Sequence, residues 1–186
     1  MFSNSLWMMS EKLIAIFGLI FVTSFVAKYI GPENFGKLTF VGSIFAIVQT
    51  LSLMGTESVI FQKTAKSRRF GENMIYASKR LRDYIYSSLS LIIIFILYFY
   101  TDRLTFIFGL ATCIAIYFAV HDVYNIYFNA LLESKINAYC NVTALIISLS
   151  VRYLIVLFQL PIETLGIPII LLTLIPFLLR KYLYTK

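Results

Sequence analysis

The stretch Ala27-Lys28-Tyr29-Ile30-Gly31-Pro32-Glu33-Asn34-Phe35-Gly36 is a short polar interruption between two apolar runs, each about as long as a bilayer is thick. Leu13 to Ala27 carries no charge, and Lys28 follows where its stem can lie along lipid while the amine reaches headgroups. Gly31-Pro32 stops the helix, and Glu33 stands at the start of the next one, where a carboxylate is favoured. From Leu38 to Thr56 the chain is again uncharged, which meets the roughly 20 residues needed to cross a hydrocarbon core of ~30 Å. The pattern predicts a transmembrane helical hairpin, and the rest of the chain repeats it.

Working outward, 60% of the 186 residues are hydrophobic and 13% are charged, against about a quarter charged in soluble domains. The composition therefore reads as an all-α integral membrane protein. A signal peptide competes for the first apolar run, but a second run follows at once and no small-residue cleavage site precedes it. Cys113 and Cys140 fall in or beside apolar segments and suit buried hydrophobes better than a disulfide or metal framework. The net charge of +7 would suggest nucleic acid in a soluble protein. Here the cations lie between apolar runs, where they set orientation, and no nucleic-acid partner is expected.

About six crossings are predicted, at residues 11–30, 37–60, 84–100, 104–132, 136–160 and 164–180, in a single membrane domain spanning 1–186. A basic stretch at 62–83 lies between the second and third. Its second half repeats Met74, Ser78, Leu81 and Ile85 at helical spacing, so it is expected to lie on the inner leaflet before entering the membrane. The fourth run lacks Gly and Pro through His121 and Asp122 and is read as one long tilted helix. In the sixth, Pro168 and Pro176 are expected to kink or unwind the helix, and Arg180-Lys181 to end it. With both termini inside, Lys12, Lys63, Lys66, Arg68, Arg69, Lys79, Arg80, Arg82, Lys135, Arg180, Lys181 and Lys186 are cytoplasmic, and only Lys28, Lys37 and Arg103 are external. That asymmetry supports the topology.

No nucleotide loop, metal-ligand spacing or nucleophile-and-base set is present, so the chain reads as a non-enzyme without a cofactor. What remains is polar residues within membrane helices, which usually face a protein interior or a water-filled cavity. Thr39, Ser43, Thr50 and Glu57 share one face of the second helix; Asp122, Asn125, Asn129 and Glu133 share one of the fourth; Asn141, Ser148, Arg152 and Gln159 share one of the fifth. Together they predict a polar cavity bordered by these three helices. Arg152 has apolar sequence on both sides. It reads either as a structural ion pair with Asp122 or as a fixed cation for a phosphate or carboxylate group. Glu57, near the cytoplasmic end, reads as a helix cap or a gate. Glu57, His121 and Asp122 are the candidates for taking up a coupling cation, H+ or Na+, and His121 alone has an unperturbed pKa near neutrality.

Asn4-Ser5-Leu6-Trp7, Glu11-Lys12, the turn from Ala27 to Gly36, and Leu53-Met54-Gly55-Thr56-Glu57-Ser58 resemble the opening of the polysaccharide transporter family, the O-antigen and capsule repeat-unit flippases of the multidrug/oligosaccharidyl-lipid/polysaccharide superfamily. The turn after the first helix is the most specific part. Later helices match in hydropathy, in the basic segment after helix two, and in an arginine in helix five. The resemblance implies transport of a polyprenyl-pyrophosphate-linked oligosaccharide across a bacterial inner membrane, with a central cationic cavity onto which Arg152 fits. The family has two similar lobes, so this chain corresponds to an amino-terminal lobe. The expectation is a truncated product, or one that needs a second copy or a separately encoded second lobe. The alternatives are a non-transporting membrane partner or degenerate remnant and, ranked below it, a membrane enzyme acting on polyprenyl phosphates through Asp122 and His121.

Overall fold

The computed structural model describes residues 2–186, with side chains from Thr23 onward and, before it, at Trp7, Met9, Ser10, 12–16, Gly18 and Ile20. The chain is all-α, with no strand among the described residues. Five helices are long and apolar enough to cross a membrane: Thr23–Leu53, Arg68–Tyr100, Arg103–Ala130, Ser134–Leu157 and Ile162–Thr185. The shortest of these have 24 residues, about 36 Å at 1.5 Å per residue, which exceeds a hydrocarbon core of ~30 Å.

The first span is really parts of two rods. Helical backbone runs from Phe2 to Leu53 except at Gly31, whose φ of 79° and ψ of 163° turn the chain. A Cβ disfavours that conformation, and Pro32 then supplies a φ already suited to a first helical turn. The rods are α1 (2–30) and α2 (32–53). They fold back on each other, because Thr23 and Val26 share a small cavity with Phe35 and Leu38. Counted this way the structure has six long rods.

After α2, Met54 and Gly55 take positive φ values of 41° and 71°, and α3 (Thr56–Lys66) starts in a new direction. Of the basic loop expected over 62–83, the second half is helical as its spacing predicts, and the first half is helical too apart from Ser67. After Ser67, whose backbone is extended, α4 (Arg68–Tyr100) runs unbroken from the basic segment into the membrane span. The reason lies in its inward face: Ile75, Arg82, Tyr86, Ser90 and Leu97 are all buried at helical spacing, so one face continues through both parts.

The expected single helix over 104–132 is two helices, α5 (Arg103–His121) and α6 (Tyr124–Ala130). No Gly or Pro causes the break. Asp122 leaves helical geometry at φ −81° and ψ 50°, with its carboxylate held by Arg180. Leu132, at φ 62°, then turns the chain into α7 (Ser134–Leu157). A 3-10 turn, Ile162–Leu165, leads into α8 (Gly166–Thr185), which runs through Pro168, Pro176 and Arg180-Lys181 without unwinding. Pro168 sits in the first turn, where its missing N–H costs nothing.

Two ends of the bundle differ in kind. At the turn end, Ile30, Phe35, Leu104, Ile162 and Leu165 form an apolar cluster with Val26, Phe108 and Ile155. Tyr29 donates to the Leu160 carbonyl there at 2.8 Å. At the basic end, Ile60 and Ile75 pack on Val123, Tyr127 and Phe128, which ties α3 and α4 to α6. Between them, Val41, Phe45 and Val48 of α2 pack with Tyr86, Leu97 and Val120. The α1 helix lies closely on α7, where a Cβ at Gly18 would come within 2.8 Å of Leu149.

Candidate functional site

The polar residues that the helices bring inward gather mainly at the basic end. Asp122, at the break between α5 and α6, accepts a hydrogen bond from Nη1 of Arg180 on α8. Nη2 of the same guanidinium donates to the side chain of Asn141 and, at 3.5 Å, to the Asn137 carbonyl on α7. The side chains of this ion pair are 3% and 11% exposed, so both charges have left water together. Asn137 extends the network, donating to the Asn125 carbonyl at 2.8 Å and to Asn129 Oδ1 at 2.9 Å. Ser134 donates to that same Asn129 oxygen at 2.8 Å. Three helices, α6, α7 and α8, and the α5–α6 junction are joined by one connected set of polar contacts, although Asp122 Oδ1, Asn137 Oδ1 and Arg180 Nε have no partner in it.

A second pair lies beside it, with His121 buried and the Asp83 side chain 38% exposed. His121 Nε2 meets the Asp83 carboxylate across α4 and α5, and Nδ1 lies 2.7 Å from the Tyr117 carbonyl. Both ring nitrogens therefore face acceptors.

The ion pair read from the sequence between Arg152 and Asp122 is not formed. Arg180 takes Asp122, and Asn141, which Arg180 touches, lies eleven residues before Arg152 on α7, about 16 Å along the axis. Arg152 is instead half-buried toward the turn end, beside a cavity of ≈40 Å³ lined also by Thr23, Val26, Phe35, Leu38, Leu165 and Ile169. It makes no hydrogen bond or ion pair among the described residues. Ser148, one turn before it, is buried and donates to the Pro168 carbonyl at 2.8 Å, which ties α7 to α8.

The single cavity expected between the second, fourth and fifth helices is divided. Thr39, Ser43 and Thr50 lie on the exposed face of α2, and each hydroxyl returns to a carbonyl of its own helix, at 2.9 Å for Ser43 to Thr39. Glu57 lies in the first turn of α3, where the helix dipole favours it. It also lines a cleft of ≈600 Å³ at the basic end together with Gln62, Asn129 and Ser134. Two of the three stripes thus meet there through Glu57 and Asn129. Asn125 belongs to the polar network rather than to the cleft, while Glu133 and Gln159 are exposed.

Sequence reasoning missed Arg180, Asn137, Asp83 and Arg82. The signal for Asn137 was its spacing of four from Asn141 and eleven from Ser148, which puts all three on one face. Among the described residues no group of three or more His, Cys, Asp and Glu side chains is placed to hold a metal ion. Of the family-like opening, the side chains of Asn4, Ser5, Leu6 and Glu11 lie outside those described. Comparisons with protein-family models, curated proteins and solved structures returned no match for this chain.

Proposed function

We propose that this membrane protein serves transport of an anionic, lipid-linked glycan, as one lobe of a flippase of the polysaccharide transporter type. The observation that carries the reading is Arg152. It is a cation within a span that is long and apolar enough to cross a membrane, with an adjoining cavity and no carboxylate within ion-pair distance among the described residues. An unpaired charge at such depth is costly and is retained where a ligand supplies the counter-charge. A pyrophosphate linking lipid and glycan has that chemistry and matches a guanidinium fork.

In this reading the basic end faces the cytoplasm of a bacterial inner membrane, in keeping with the Lys and Arg asymmetry of the sequence. Substrate enters near the cleft lined by Glu57 and Asn129, and its charged group then reaches Arg152. The chain has no phosphate-cradling loop, so the driving force is an ion gradient, the membrane potential or consumption of product on the far side. Of the candidates for a coupling cation, His121 is the best placed, since it meets the Asp83 carboxylate across α4 and α5; Asp122 is engaged by Arg180. The exposed polar face of α2, from Thr39 to Thr50, is where a second lobe or a second copy completes the pathway.

The test is reconstitution of the purified chain in vesicles with a fluorescent polyprenyl-pyrophosphate glycan, alone and with a candidate second lobe. Movement across the bilayer that depends on the second lobe and is lost in Arg152→Gln supports the proposal. Undiminished movement in Arg152→Gln refutes the role of Arg152. No movement under any pairing favours a non-transporting membrane partner.

A further inference from the structure

Arg82 is the largest fully buried side chain among the described residues, 1% exposed, and its contacts do not account for its charge. Nη1 donates to Ser78 at 2.8 Å, one turn back on the same helix, and Nε has no partner. Among the described residues no carboxylate lies within ion-pair distance: Asp83 beside it is turned to His121, and Asp122 to Arg180. Burying a guanidinium with one neutral hydroxyl as its partner costs several kcal/mol of lost hydration, which other contacts must offset.

The side chain does not end in packed protein. It lines a cavity of ≈210 Å³ between α4, the α5–α6 junction and α8, together with Lys79, His121, Tyr76, Tyr124, Lys181 and Tyr184. No Asp or Glu is among the lining residues, so the three cations face it unopposed. At ~30 Å³ per water the volume equals about seven waters, room for a small oxyanion and its nearest partners. One wall is aromatic, with Tyr124 4.9 Å from Tyr184 and 6.2 Å from Phe177, ring to ring. Ile75, Val123 and Phe177 make part of the lining apolar. Beside it, Tyr76 and Lys79 also border a wider hollow of ≈610 Å³ with Ala77, Arg80 and Asp83, giving a way in from the surface.

We infer that this cavity is a phosphate site for a lipid headgroup, distinct from Arg152, in which Arg82 is the buried anchor and Lys79 and Lys181 close over the oxyanion. A buried cation facing a pocket without carboxylates selects an anion, and exposed lysines at its rim add attraction without ordering cost until the ligand arrives. Lipid is favoured over a soluble phosphate by position. The cavity opens where the apolar span of α4 passes into its basic segment, at the depth of headgroups, and its apolar wall suits the first carbons behind a phosphate. The inference does not rest on transport.

The experiment is lipid binding to the purified chain in dodecyl maltoside micelles, read by native mass spectrometry and by thermal unfolding. Phosphatidic acid, phosphatidylcholine and inorganic pyrophosphate are added separately. The expected result is retention of phosphatidic acid over phosphatidylcholine and a raised unfolding midpoint with phosphatidic acid. The double variant Lys79→Gln/Lys181→Gln, which changes exposed residues, binds phosphatidic acid about tenfold more weakly. The control Lys63→Gln/Arg69→Gln removes equal charge from the same end, away from the cavity, and binds as wild type. Arg82→Gln folds with an undiminished midpoint in lipid-free micelles and loses the response to phosphatidic acid. Competition by pyrophosphate identifies the phosphate as the recognised group, whereas binding that pyrophosphate leaves unchanged assigns recognition to the whole headgroup with its chain. Equal weakening in both double variants, or no preference for phosphatidic acid in the wild type, overturns the site.

Discussion

The two ends of the bundle handle charge in opposite ways. At the turn end, Lys37 bridges Glu33 at 3.0 Å and Asp102 at 3.3 Å, with the Lys37 and Asp102 side chains 26% and 49% exposed. At the basic end, Arg180 and Asp122 are 3% and 11% exposed, and Arg82 is buried beside them without an anion. Exposed pairs are screened by water and contribute little, so the turn end is held by its apolar cluster and by backbone geometry at Gly31. The basic end depends on the buried Arg180–Asp122 pair and carries Arg82 without such a partner. The difference gives a way to read the arginines of this chain: a buried cation with a carboxylate is held by the protein itself, and a buried cation without one is open to a ligand, as proposed for Arg82 and Arg152.

The largest expected effect comes from breaking the buried ion pair. Asp122→Asn leaves Arg180 buried with only neutral partners and lowers stability by about 3–5 kcal/mol, read as a fall in the thermal midpoint and in the yield of monodisperse protein. Adding Arg180→Gln restores part of the loss, because the stranded charge is then gone. If Arg180→Gln alone is as well folded as wild type while Asp122→Asn is too, the pair is not structural and the comparison fails at its strongest point.

The contrast then predicts the opposite sign for the unpaired cations. Arg152→Gln removes a charge with no protein partner and leaves the midpoint unchanged or raised by up to about 1 kcal/mol in stability, while glycan movement is lost. Measuring midpoints of Arg152→Gln, Arg82→Gln and Arg180→Gln side by side sorts the three arginines directly. A destabilisation of Arg152→Gln as large as that of Asp122→Asn would move Arg152 into the structural class.

How far the sequence revealed this division follows from the range of the contacts. The hairpin was legible because Gly31-Pro32 acts within a few residues, and the membrane spans were legible because length and charge are local properties. Asp122, His121 and Arg152 were recognised as unusual for the same reason. Their partners were not, since helical spacing says which face a residue occupies but not which other helix comes to meet it. Arg180 joins Asp122 across 58 residues and His121 joins Asp83 across 38. Arg180 was read with Lys181 as a topology charge at the end of a helix, yet α8 continues to Thr185 and carries Arg180 on its buried face. The break after His121 lacked any signal from Gly or Pro, because a side chain reaching for a distant arginine makes it.

A smaller effect tests the backbone half of the comparison. Gly31→Ala places a Cβ at φ 79° and costs about 1 kcal/mol or more, although nothing lies within 4 Å of the added carbon. A loss here with no loss of phosphatidic acid binding shows that the two ends are specified independently. A wild-type midpoint for Gly31→Ala would mean that the turn has other conformations of equal stability.

The smallest expected effect concerns the exposed pair, and its sign distinguishes charge from packing. The Thr105 hydroxyl donates to Asp102 at 2.6 Å, and Lys37 lies 3.3 Å from the other carboxylate oxygen. These contacts hold the Asp102 carboxyl below its ordinary value of 3.8. Because the folded state binds the proton less tightly than the unfolded state, the contribution is fully present above about pH 4 and is lost as pH falls through the folded value. Asp102→Asn should therefore unfold slightly earlier than wild type near pH 6, with the gap narrowing toward pH 3. Both midpoints can be read by circular dichroism in the same micelles. A gap that is constant over this range would assign the contribution to the Thr105 hydrogen bond in either protonation state, and a gap as large as that of Asp122→Asn would erase the distinction between the exposed and the buried end.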